Sequence, residues 1–221
     1  MKVILGISNK HVHLTEEDYK TLFGDEPLGV VKELVQPGQF SSDKKVSIKT
    51  EKRTIDNVRL LGPLRSYTQV EVSKTDSFAL GLNPPMRNSG DLDGAEMITI
   101  VGPAGEVTKP CCIIANRHLH INPQQRQELG LVGIEKVCAR IDGEKHTVFE
   151  DVYIKEDPSF TLELHLDTDD GNGSFAKTGE EVEIFILWFH QILIVCLWVL
   201  YLLDSTESFS FVNFHRLVVH L

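Results

Sequence analysis

The chain is poor in cysteine, in positive charge and in helix-forming stretches, and each shortage narrows what it can be. Its four cysteines, Cys111, Cys112, Cys138 and Cys196, show neither a CxxC spacing nor the pattern of a small secreted domain. That points to a reduced, cytoplasmic protein. Cys111 and Cys112 lie in an apolar run, Cys-Cys-Ile-Ile-Ala, and read as buried small hydrophobes rather than nucleophiles. Lys and Arg number 22 against 32 Asp and Glu, a formal charge of −10, so no nucleic-acid partner is expected. A compact phosphorylated ligand remains compatible, because a few local cations suffice to hold it. No signal peptide opens the chain: Met1-Lys2-Val3-Ile4-Leu5-Gly6 is too short an apolar stretch, and polar residues follow at once.

What is present is mostly strand-like. With 221 residues the chain makes one large domain or two small ones. Apolar and polar residues alternate over 46–49, 55–60, 69–72, 97–101 and 148–154, as half-buried strands require. Gly62-Pro63, Gly102-Pro103, Ala104-Gly105 and Asp142-Gly143 mark turns between them. Two short helices are signalled. One starts at Thr15, with Glu16, Glu17 and Asp18 in its first turn, and ends near Gly24; the other starts at Asn122-Pro123 and stops at Gly130.

The chain says nearly the same thing twice. Asn9-Lys10-His11-Val12-His13-Leu14 and Asn116-Arg117-His118-Leu119-His120-Ile121 each read Asn, basic, His, aliphatic, His, aliphatic, and each is followed by a helix start. Side chains two apart on a strand leave the same face, so an HxH strand offers two imidazoles to one ion. A single HxH more often packs and hydrogen-bonds like any strand histidine. Two matched copies, absorbing four of the nine histidines, favour metal binding. The expected fold is therefore mainly β: two small antiparallel β-barrels with a few short helices and the site at the barrel junction. Asp76-Ser77-Phe78-Ala79-Leu80 and Asp157-Pro158-Ser159-Phe160-Thr161-Leu162 form a weaker echo between the halves.

Two further residues have ligand character. Glu71 shares a strand face with Gln69, and His165 shares one with Glu163 and Asp167. Alone, each reads as a solvated strand face; together they complete two three-ligand sets. Three protein ligands with an open position is the catalytic zinc pattern. Arg59, Arg65, Lys10 and Arg117 gather positive charge near these strands, which in an acidic protein hints at a phosphorylated ligand.

Residues 184–203 form an apolar run of membrane-span length in which His190 and Gln191 are the strongly polar members. No Lys or Arg cluster flanks it. A frameshift or read-through tail, a membrane-associated segment and core all remain open readings.

Beyond these motifs, Gln36-Pro37-Gly38-Gln39-Phe40, Asn57-Val58-Arg59-Leu60-Leu61-Gly62-Pro63, Arg87-Asn88-Ser89-Gly90-Asp91-Leu92 and Leu164-His165-Leu166-Asp167-Thr168-Asp169 also stand in register with one family. From residue 3 to about 183 the chain resembles the PduL-type phosphate acyltransferases, also called phosphotransacylases or phosphate propanoyltransferases. The resemblance implies residues 1–9 with 116–183 in one barrel, 10–115 in the other, and 184–221 as an atypical tail. It implies two zinc ions per chain, one held by His11, His13 and Glu71 and the other by His118, His120 and His165. Arg65 would bind phosphate; Ser8, Lys32, Arg59, Leu61, His165 and Asn172 would contact coenzyme A, with Gln39 and Phe78 contributed by a neighbour in a homodimer. The implied reaction is reversible transfer of an acetyl or propanoyl group between coenzyme A and phosphate. The chain opens directly on a strand, without the extra helix of microcompartment members, which favours a free cytoplasmic enzyme. A dinuclear metallohydrolase and a non-catalytic metal-binding barrel are the alternatives. The cationic residues Arg59, Arg65 and Lys32 favour the transferase, since neither alternative needs a groove for a long anionic cofactor.

Overall fold

A computed structural model describes residues 1–187. The first half of the chain contains β1 (Lys2–Ser8), β2 (His11–His13), α1 (Glu16–Phe23), β3 (Val30–Glu33), β4 (Phe40–Lys49), β5 (Thr54–Gly62), β6 (Gln69–Glu71), α2 (Lys74–Leu80), β7 (Met86–Arg87) and β8 (Glu96–Val101). The second half contains β9 (Glu106–Ala115), β10 (His118–Ile121), α3 (Pro123–Glu128), β11 (Lys136–Ile141), β12 (Thr147–Glu156), β13 (Glu163–Asp167), α4 (Thr168–Ser174) and β14 (Glu181–Phe185).

The strands close two six-stranded barrels, and the fold is mainly β with short helices, as expected. One barrel runs β4-β5-β2-β6-β9-β8 and closes where β8 pairs with both β9 and β4; β3 and β7 are attached at its margins. The other runs β1-β13-β10-β12-β11-β14 and closes on itself. The strand directions are mixed rather than antiparallel throughout. β2 lies parallel to β5, β6 to β9, β10 to β12 and β1 to β13. Each of these pairs joins strands distant in the chain, and the intervening segments supply the crossovers that parallel pairing needs.

The two barrels repeat one plan, with one exchange. β2 and β10 are equivalent, as are β5 and β12, β6 and β13, and α2 and α4. The opening strand of each half, however, completes the other half's barrel: β1 pairs with β13 and β14, while β9 pairs with β6 and β8. The chain crosses between barrels at Asn9-Lys10 and again at Asn116-Arg117.

Local chemistry sets the element ends. Thr15 caps α1 by accepting from the Asp18 amide at 3.1 Å, and Gly24 ends it at φ 65°, a left-handed value that a side chain would oppose. Asn122 and Gln125 form a reciprocal capping box on α3. Strand alternation sends Val12 and Leu119 into the barrel cores, where both are fully buried, and sends the flanking imidazoles to the opposite face. The echo suspected at 157–162 is a turn followed by irregular chain; the true partner of α2 is α4, whose Gly-rich sequence carries little helical signal. The apolar run begins inside the fold: Ile184 is fully buried in β14 and pairs with Ala139. The rest of that run, from residue 188, lies outside the described residues. Among the described residues no helix is long and apolar enough to cross a membrane.

Candidate metal centres and the cavity between them

Each crossover places a histidine by the same device. The His11 Nδ1–H donates to the Asn9 carbonyl at 2.8 Å, and the His118 Nδ1–H to the Asn116 carbonyl at 2.8 Å. Each bond fixes a tautomer whose Nε2 lone pair is free for a ligand. The basic residue of each motif is anchored in the same way. Lys10 pairs with Asp76 of α2 at 3.0 Å, and Arg117 grips Asp170 of α4 through two bonds of 2.7 and 2.9 Å. Lys10 and Arg117 are thus committed to the scaffold, not to a phosphorylated ligand as their position in the sequence suggested.

Strand register supplies the third member of each set. His11 stands opposite Glu71 across β2–β6, and His118 opposite His165 across β10–β13. His11 Nε2 lies 3.4 Å and His13 Nε2 4.0 Å from the Glu71 carboxylate oxygens. In the second set, His118 Nε2 and His120 Nε2 are 3.0 Å apart, and the three rings meet edge to face with centroids 4.6 to 5.1 Å apart. Within each triad the ligand atoms all lie within 4.8 Å of one another.

These sets fit a divalent transition metal. Ligands about 2.0–2.1 Å from a tetrahedral ion stand roughly 3.3 Å apart, inside the spread seen here. Nitrogen lone pairs and a carboxylate otherwise face one another with no cation between them. His13 Nδ1 and His120 Nδ1 are buried without a hydrogen-bond partner among the described residues. Burial, then the charges of His11 and Arg65, holds His13 well below the usual imidazole range. Burial and the neighbouring His165 push His118 down to about 3, and burial with His118 and His165 pushes His120 lower still. All three are therefore neutral nitrogen donors at neutral pH. Burial alone would raise the Glu71 carboxyl and lower His11. The attraction between the two outweighs it, so Glu71 is held well below the carboxylate range and His11 is raised.

Both triads line one cavity of about 470 Å³. Ser8, Lys32, Arg59, Leu61, Gln39 and Arg65 share its wall. Asn172 and Phe78 do not; they hold equivalent positions on α4 and α2, and both are exposed. The two helices touch where the Thr75 amide donates to Asp169 Oδ2 at 2.7 Å. Arg65 is held by neutral groups alone: Tyr67 Oη at 2.8 Å, Ser89 Oγ at 3.3 Å and Gln39 Oε1 at 3.1 Å. Among the described residues its charge has no acid to cancel it. Gln39 makes this contact within the same chain.

Several residues in or behind the cavity wall had no role assigned from sequence. Gln69 donates to Glu71 Oε1 at 2.6 Å and to Ser89 Oγ at 2.9 Å, so one amide ties the first triad to the arginine's support. Its register equivalent, Glu163, lies 2.8 Å from His165 Nε2 and accepts from Gln36 at 2.8 Å. The second centre, read from sequence as purely histidine, thus has a carboxylate against it. Shared strand faces pointed to Gln69 and Glu163. Nothing local pointed to Gln36, which reaches Glu163 through tertiary structure.

The geometry agrees with comparisons to known proteins. Residues 4–177 match the family described as phosphate propanoyltransferase. A phosphate propanoyltransferase of Thermotoga maritima is 45% identical over 185 residues, covering 82% of this chain and 88% of that protein. One of Citrobacter rodentium is 41% identical over 174 residues, covering 78% and 83%, and one of Shewanella putrefaciens is 42% identical over 185 residues, covering 83% and 88%. On the matched segment and on these identities, the chain belongs to the phosphate propanoyltransferase family.

Proposed function

We propose that this chain is a zinc-dependent phosphate acyltransferase that moves an acetyl or propanoyl group reversibly between coenzyme A and inorganic phosphate. One observation carries the reading: two ligand triads and an arginine with no acidic partner among the described residues face a single cavity. Two zinc ions per chain would be held by His11, His13 and Glu71 and by His118, His120 and His165, and would supply Lewis acidity and a lowered thiol pKa.

The chain's own residues then do the following. Ser8, Lys32, Arg59, Leu61 and His165 border the path for coenzyme A, with Asn172 and Phe78 outside the cavity wall as an outer contact zone. The thiol gives up its proton, the thiolate sulfur bonds to the acyl carbon, and the carbon–oxygen bond to phosphate breaks with its electron pair leaving on phosphate oxygen, which takes up the proton so that hydrogen phosphate departs. Arg65, pre-positioned by Tyr67, Ser89 and Gln39, stabilises that departing charge without reorganising. No cysteine nucleophile is needed. Cys111, its thiol pushed up to about 12 by burial, is unsuited to be one.

Free, buried Cys111, Cys112 and Cys138 support a reduced cytoplasmic setting, and exposed Val30, Val31 and Phe78 support a homodimer. The strand pairings support a domain boundary at each Asn-basic crossover. The test couples metal analysis to a thiol-consumption assay with acetyl phosphate. Two zinc ions per chain and metal-dependent thiol loss are expected, with the loss abolished by His13→Ala. A fully metallated, folded protein that consumes no thiol refutes the reading, and one that cleaves acetyl phosphate without coenzyme A is a hydrolase instead.

A further inference from the structure

Lys155 is the cavity residue that neither the fold nor the ligand sets account for. It lies on β12 opposite His120 of the second triad and lines the cavity. It is partly buried, yet among the described residues its ammonium has no hydrogen bond and no ion pair; its one aromatic neighbour is the Phe160 ring, 5.9 Å away. Stripping water from an ammonium without giving it a counter-ion is unfavourable, and structures keep such a group where a ligand completes it.

The duplicated plan shows that the fold does not ask for this charge. Arg59 stands opposite His11 as Tyr153 stands opposite His118. Two residues further along the same strands come Leu61 in one barrel and Lys155 in the other. An apolar side chain serves that position equally well as scaffold.

Arg65 is the matching half. Among the described residues it also has no acidic partner, and the two cations act on one another and both act on His120. Arg65 bears on His13 and His120, and Lys155 bears on His118 and His120. Glu71 and Asp157 attract Lys155 without forming an ion pair with it. Two cations with no direct ion pair among the described residues, converging on the ligand triads, suit a small, doubly charged anion there rather than along the stem of a long cofactor.

We propose that Lys155 and Arg65 form a two-cation clamp for the phosphate dianion, Lys155 gripping it from the side of the second triad. This rests on the acyltransferase reading for its role in turnover. There Lys155 shares with Arg65 the charge that collects on phosphate oxygen as the carbon–oxygen bond breaks. Binding of inorganic phosphate itself does not depend on that reading.

The test is equilibrium binding of radiolabelled inorganic phosphate to the full, metal-loaded chain, run beside steady-state kinetics and metal analysis. Lys155→Leu copies the residue of the other barrel and is expected to fold with its melting temperature and metal content retained. Its phosphate affinity should fall about 10- to 100-fold, the loss of one charge-assisted bond. KM for acetyl phosphate should rise in parallel, KM for coenzyme A should stay within about twofold, and Lys155→Arg should recover most of the binding. Phosphate binding by Lys155→Leu equal to wild type overturns the clamp, as does a rise confined to the KM for coenzyme A. Should Lys155→Leu fail to fold, Lys155→Gln is read by the same criteria. A wild-type chain that binds phosphate in a Lys155-dependent way but transfers no acyl group sustains the clamp and sinks the transferase reading. Transfer with a phosphate KM indifferent to Lys155 does the reverse.

Discussion

Gly6→Ala should disable one metal centre while removing no ligand. Gly6 sits in β1 opposite His165, and a methyl there would stand 2.9 Å from Glu163 Oε1 and 3.0 and 3.1 Å from His165 Cδ2 and Nε2. Carbon contacts settle at about 3.5–4.0 Å, so the imidazole and the carboxylate must retreat by roughly half an ångström. The strand itself should tolerate the change: Gly6 has no positive φ, and Ala is favoured over Gly in a strand by about 0.5–1 kcal/mol, which offsets side-chain strain of similar size. Metal sites tolerate ligand displacements of only about 0.2 Å, and disturbing the groups around a ligand typically costs about 10- to 100-fold in affinity. The expected outcome is a folded protein of near wild-type melting temperature whose second zinc is lost to a competing chelator at 10- to 100-fold lower chelator concentration, while the first is retained. The other barrel is a built-in control, because Ile113 stands opposite Glu71 where Gly6 stands opposite His165. Equal loss of both ions, or full retention of both, would show that Gly6 is not there to make room for the ring.

Asp18 is buried on α1 and bound by Lys109 at 2.6 Å and by Thr68. Burial would raise its carboxyl, but these partners outweigh it and hold the pKa below 3.8. A depressed folded pKa contributes stability that is complete above the unfolded value and lost as pH falls through the folded one. Asp18→Asn should therefore cost about 1–3 kcal/mol at pH 7 by denaturant titration, with the gap to wild type closing below about pH 4; a gap independent of pH would refute the assignment. Arg117→Ala, which frees Asp170, should lower stability by about 1–2 kcal/mol and weaken metal at the His118 set, whereas Arg117→Lys recovers part of both; unaltered melting and metal content would remove the crossover from the support of the site. Cys111 and Cys112 should resist alkylation at pH 8 in the native protein and react only on unfolding, as read by peptide mass spectrometry. Rapid native labelling of either would contradict the burial that raises both thiols.

Much of the site was legible because it is written in period two. Alternation alone puts His11 with His13, His118 with His120 and Glu71 with Gln69 on common faces. Thr15 and Asn122 announced their helices because a cap is a local device. What stayed hidden depends on register and direction. That β2 lies parallel to β5, and that β1 leaves its own half, are properties of strands far apart in the chain. α4 was missed because Thr168–Ser174 has two glycines and five other weak helix formers, and tertiary packing overrides that preference. Lys10 and Arg117 looked like ligand-binding charge because their acids, Asp76 and Asp170, lie dozens of residues away. Lys155 drew no notice, since a lysine on an alternating strand is ordinary until its neighbours are known.

The exchanged opening strands set an order for biosynthesis. The barrel of β4, β5, β2, β6, β9 and β8 has all its strands once residue 115 has left the ribosome. β1, although made first, has no partner until β13 and β14 emerge some 160 residues later, about ten to thirty seconds at ordinary elongation rates. During that interval its Ile4, Leu5 and Ile7 remain an unpaired apolar edge beside a barrel that has already closed. A nascent chain stalled before β13 would therefore hold one finished barrel and a sticky unpaired β1, which makes that strand the place where chaperone capture or mispairing between ribosome neighbours would start.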